Sequence, residues 1–131
     1  MSAPSLRPYL LIVGATLLGQ GLLSWLLDAT GNDSNQLPWR FANSDPRHAF
    51  IHVVWGAVML VLLLRGLDER GCIRLALAFG IFYSALAVLG IVVHHPFGLR
   101  LDRGENVFHL LIGPITLALG IVAARAQRVP A

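Results

Sequence analysis

The chain has 131 residues, 56% of them hydrophobic and only 13% charged, whereas a soluble domain carries about 25% charged side chains. A mean hydropathy of +0.68 also excludes a disordered chain, since disorder needs low hydrophobicity and high charge. The formal net charge is +3, but every basic residue is an Arg flanking an apolar stretch, which membrane topology requires and no nucleic acid is needed to explain.

Four windows contain no Asp, Glu or Arg: residues 8–27, 48–64, 75–99 and 106–124. A helix needs about 20 mostly apolar residues to cross the hydrocarbon of a bilayer. The expected fold class is therefore all-α, an integral membrane four-helix bundle forming a single transmembrane domain over 1–131. Its spans run over approximately 8–27, 47–65, 73–94 and 105–125, with an external loop over 28–46. The first window is too long for the apolar core of a cleaved signal peptide and reads as a retained span.

Helix-end signals follow in chain order. Pro8 suits the first turn of helix one. The loop over 28–46 is turn-rich at Gly31-Asn32-Asp33-Ser34-Asn35 and carries Leu37-Pro38-Trp39. Ser44-Asp45-Pro46 provides cap residues and a Pro to start helix two, and Gly66 can end it. Helix three is expected from about Cys72 to Val93, ahead of Pro96. Cys72 is the sole cysteine, so no intramolecular disulfide is available. Asp102 and Glu105 resemble a capping box for helix four. Pro114 lies inside that helix and is expected to kink it.

Arg7, Arg65, Arg70, Arg74, Arg125 and Arg128 fall on one side of this arrangement, and Arg40, Arg47, Arg100 and Arg103 on the other. The basic excess marks the cytoplasmic side, so both termini are expected inside, in a bacterial inner (plasma) membrane. Trp25, Trp39, Phe41 and Phe97 gather at the opposite boundary, as an interfacial aromatic belt does.

Helices two and four open alike, with His52-x-x-x-Gly56 in one and His109-x-x-x-Gly113 in the other, a weak internal repeat of two helical hairpins. With Asn43, the Gly80 to Gly90 stretch and Asn106 three residues before His109, these features resemble a family of small bacterial four-span membrane proteins known as a domain of unknown function. The resemblance covers roughly residues 10–124 and implies the fold, without an activity, cofactor or substrate. The chain departs from the pattern in the spacing from Asn43 to His52 and in Pro114 directly after the second glycine.

All five histidines fall at the expected external side: His48, His52, His94, His95 and His109. His48 and His52 share one helix face, as do Glu105 and His109, because residues four apart are neighbours on a helix. Two helices can thus bring three imidazoles and a carboxylate together, a set that suits zinc, copper, nickel or non-haem iron. Near helix N-termini the dipole disfavours the imidazolium, whereas His94 and His95 sit at a C-terminal end that favours it. His52 and His109 at matched depth also suit tetrapyrrole ligation, of haem or a chlorophyll-type pigment, although no Cys-x-x-Cys-His attachment motif is present.

The plain alternative is that an intramembrane His hydrogen-bonds a neighbouring helix. Gln20, Ser24, Ser84 and Thr116 read the same way. Ala76-Gly80-Ser84 and Thr116-Gly120-Ala124 form small-residue packing seams. No charge lies in a span centre, so a transport path is not announced. No hydrolase, zinc-protease or phosphate-loop motif occurs.

The leading functional expectation is a non-catalytic accessory or scaffold subunit with a membrane protein partner or a second copy of itself. The alternative is a metal- or tetrapyrrole-binding redox or sensing protein using His52 and His109, with His48 and Glu105 as further metal ligands.

Overall fold

The computed structural model describes residues 5–31, 45–93, 96–99 and 103–128. Four α-helices follow one another: α1 (Arg7–Ala29), α2 (Pro46–Leu64), α3 (Glu69–Val93) and α4 (Arg103–Ala126). All four are long and apolar enough to cross a membrane. The chain is a multi-pass membrane protein. Even α2, with 19 residues, extends for about 28 Å at 1.5 Å per residue, close to the hydrocarbon thickness of a bilayer.

Local chemistry sets the helix ends. Pro8 falls in the first turn of α1. Asp45 caps α2, accepting from the Arg47 backbone N–H at 3.0 Å, and Pro46 follows as the first helical residue. At the other end of α2, Gly66 takes a positive φ of 87°. The N–H groups of Gly66 and Leu67 then reach the Leu63 and Leu62 carbonyls, both at 3.1 Å, so a left-handed glycine closes the helix.

α3 begins at Glu69, three residues before the expected Cys72. Asp68 accepts from the Gly71 N–H at 2.8 Å and so caps an extra turn. The charges in that turn hid it from a search for uncharged windows, yet a helix end at headgroup depth tolerates them. α4 continues through Pro114 without interruption, and Pro114 lies on its exposed face. The expected capping box depends on Asp102, which lies outside the described residues, as do Asn43, Trp39, Phe41, His94 and His95.

The helices pack chiefly as two hairpins, α1 with α2 and α3 with α4. Glycine allows the close approach. A Cβ on Gly56 of α2 would lie 2.5 Å from the Leu18 nitrogen of α1, and one on Gly80 of α3 the same distance from the Leu117 nitrogen of α4. Neither contact is physically possible, so only glycine permits these crossings.

Leu10, Leu17, Met59, Leu63, Phe79 and Tyr83 form the buried core. Ile12, Leu26, Leu64, Val92 and Val122 face outward and are well exposed. In water such a surface would drive association, but in a bilayer acyl chains cover it.

Two polar ties hold the bundle together, the first within the α1–α2 hairpin and the second between hairpins. Arg7 donates to the carbonyls of Leu63 and of Leu67 (3.0 Å), placing a cation at the negative end of α2. Deeper in the bundle, the Thr116 hydroxyl donates to the Ile112 carbonyl at 2.6 Å. Its oxygen is then left to accept from the Tyr9 hydroxyl, also at 2.6 Å. This joins α1 to α4, so Thr116 is the interhelical hydrogen-bonding group that the sequence suggests.

A candidate metal centre at the histidine end of the bundle

α2 and α4 both start at the end of the bundle opposite Arg7. Their first turns deliver His48, His52, Glu105 and His109 to one place, and all four are buried. The four-residue spacing within each helix aligns the members of each pair along the helix. Gly56 and Gly113, one turn deeper, keep α2 against α1 and α4 against α3. The histidines therefore project from faces whose neighbours are fixed by backbone contact.

The geometry is close. His48 Nε2 lies 3.4 Å from His109 Nε2. His48 Nδ1 lies 2.8 Å from Glu105 Oε2. The His48 and His52 rings meet edge-on with centroids 4.5 Å apart, and His52 and His109 are separated by 5.8 Å between centroids. One nitrogen from each of the three histidines falls within 4.8 Å of the others.

Proton bookkeeping narrows the roles. Glu105 stands at ion-pair distance from His48 Nδ1, and because an ionised carboxylate can only accept, it favours the His48 tautomer that carries its proton on Nδ1. In a neutral His48 this leaves Nε2 with a lone pair aimed at His109. Two ring nitrogens 3.4 Å apart need something positive between them, a proton or a metal ion.

Further capacity remains unused. His52 Nε2, His109 Nδ1 and the Tyr83 hydroxyl are buried and have no hydrogen-bonding partner among the described residues. Such groups are costly in any apolar interior, typically by about 1–3 kcal/mol each.

Sequence reasoning brings the four residues to this point but misses Tyr83. Its ring lies 5.1 Å from that of His109 and 6.0 Å from that of His52, centroid to centroid. The signal was present: Tyr83 is three residues beyond Gly80 and shares its inward face. An aromatic wall continues through Phe79 and Trp55, whose ring is 5.5 Å from Phe79. A separate, wholly apolar cavity of about 380 Å³, lined by residues including Ile51, Phe82 and Leu86, includes none of the cluster.

The fold and site together define a four-span membrane bundle with a buried His/Glu cluster near one end. The chain belongs to the family described as a domain of unknown function, DUF4383, whose model matches residues 7–122. No curated protein and no solved structure matches it.

Proposed function

We propose that this protein binds a divalent transition-metal ion through His48, His52 and His109. The observation that carries the reading is the 3.4 Å separation of the His48 and His109 Nε2 atoms, with Glu105 2.8 Å behind His48. Two imidazole nitrogens bound to one tetrahedral zinc at 2.0–2.1 Å stand about 3.3 Å apart. A carboxylate on the far nitrogen of a ligating histidine fixes its tautomer and raises its basicity. Glu105 therefore acts behind His48 in this reading, where the sequence suggested a direct ligand. The unpaired Nε2 of His52 also favours metal binding over simple interhelical hydrogen bonding, which would have paired it as Thr116 is paired. The His48 ring lies against both members of the His52–His109 pair, with centroids 4.5 Å and 5.2 Å away, which leaves little room for a flat macrocycle between them, so a metal ion is preferred to a tetrapyrrole.

Metal analysis of protein purified in mild detergent tests the reading. Stoichiometric zinc, copper, nickel or iron is expected, and it is lost in His48→Ala and His109→Ala. Metal-free protein that takes up no added zinc or cobalt would overturn it.

The accessory-subunit reading rests on a different surface. Ala15 and Gly19 are exposed on the outer face of α1, and a Cβ on Gly19 would meet nothing within 4 Å. Such a small-residue face suits close approach by a partner helix or a second copy. Recovery of the chain only as a monomer in mild detergent, with no co-purifying protein, would count against it. For topology, the excess of arginine at the Arg7 end supports cytoplasmic termini in a bacterial inner membrane. Reporter fusions at residue 131 and within 32–44 test this.

A further inference from the structure

Three imidazoles do not complete a tetrahedral metal site. Structural zinc sites generally have four protein ligands, whereas three protein ligands leave a position for water or an exogenous group. The described residues offer no fourth imidazole, thiolate or carboxylate with the three histidines. Glu105 Oε2 is engaged at the Nδ1 edge of the His48 ring, the edge opposite the nitrogen that faces His109.

Tyr83 stands at the same point from a third helix. It is fully buried, its hydroxyl has no partner among the described residues, and its ring lies beside those of both His109 and His52. A phenol both donates and accepts one hydrogen bond readily, and burying it with neither made is unfavourable. Thr116, one helix away, shows what a purely structural hydroxyl looks like in this bundle, with its donor and acceptor capacities both used.

From this geometry we infer that the metal keeps an open coordination position, occupied by a small oxygen-donor ligand, water or hydroxide, that hydrogen-bonds to the Tyr83 hydroxyl. The inference rests on the metal reading above. It assigns Tyr83 a positioning role toward an exchangeable ligand, so the site would be a binding centre for small ligands rather than a structural staple. The rings of Phe79 and Trp55 lie beside Tyr83 and that of Phe108 beside His52 and His109, an apolar setting in which a hydrogen bond to the bound ligand is stronger than in water.

Cobalt(II) substitution of the detergent-purified protein, with azide as the probe, tests both levels separately. The histidine-dependent visible absorption of bound cobalt reports the metal site. Its change on titration with azide reports the open position. For Tyr83→Phe, which keeps the ring and its packing, the expected result is unchanged cobalt affinity and azide binding weakened about tenfold, the effect of losing a hydrogen bond worth about 1.4 kcal/mol. A cobalt spectrum that azide does not alter would overturn the inference while leaving the metal reading intact, as would equal azide affinity in the two proteins. Loss of cobalt affinity in Tyr83→Phe would also overturn it, by making Tyr83 a ligand itself. Failure of the wild-type protein to bind cobalt through the histidines would remove the metal reading and this inference together.

Discussion

At the Arg7 end of the bundle, polar groups saturate one another. Arg7 donates to the Leu63 carbonyl in the last turn of α2 and to the Leu67 carbonyl just beyond it, Glu69 accepts from the Ser5 hydroxyl and the Leu6 N–H, and Asp68 caps α3. At the histidine end, His48 and Glu105 are paired, but two further imidazoles and a phenol retain unused capacity among the described residues. Each end joins two hairpins, so joining them does not require leftover capacity. Polar groups held unpaired in an apolar bundle are expensive, and ionisable residues within spans mark function by default. The contrast is between an end whose polar groups close the fold and an end with spare hydrogen-bonding capacity, which the proposed metal site would use.

The largest expected effect tests whether the cluster depends on the helix crossings beneath it. Gly56→Leu drives a side chain into the α1 backbone and should cost at least the roughly 1–3 kcal/mol typical of overpacking. Denaturation in mixed micelles would show this, and bound metal should be lost with the fold. An unchanged unfolding midpoint would mean that α1 and α2 do not meet as described.

Glu105→Gln comes next and acts at one end only. It removes the carboxylate behind His48 and should weaken metal binding 10- to 100-fold, as is usual for such supporting groups. Competition with a chelator of known affinity measures the loss, and an affinity equal to wild type would exclude the supporting role.

Arg7→Ala sharpens the contrast from the opposite side. It leaves carbonyls at the end of α2 without their cation and should destabilise the protein by about 1 kcal/mol, with metal affinity unaltered. Parallel denaturation and metal titrations would reveal whether the two ends are independent. A large change in metal affinity would show that they are not.

The smallest effect is expected for Thr116→Val, which removes the Tyr9 tie. Interhelical hydrogen bonds in membranes average about 0.6 kcal/mol, so a slight loss in the same denaturation assay is the expected result. A loss several times larger would make this tie a principal join between the two hairpins.

Much of the architecture follows from one-dimensional patterns. Long uncharged windows give membrane helices because no other open-chain structure satisfies its backbone in lipid. Pro46 and Gly66 mark ends because each suits a particular backbone conformation. The start of α3 was displaced because Asp68, Glu69 and Arg70 look like loop residues until Asp68 is seen bonded to the Gly71 N–H. The candidate site was legible as helical faces, His48 with His52 and Glu105 with His109, because a spacing of four fixes a shared face whatever the tertiary structure.

What the sequence alone determined, then, is which residues lie in the membrane and which side chains share a helix face, since hydropathy and helical periodicity are local properties. What only the tertiary structure decided is how those faces meet. It sets the 3.4 Å contact between His48 and His109, the position of Glu105 behind His48 and the arrival of Tyr83 from a third helix. Gly56, Gly80 and Gly113 fix how close the helices lie within each hairpin, but the first two distances run between hairpins, and a packing register between helices is not written in the periodicity of any one of them.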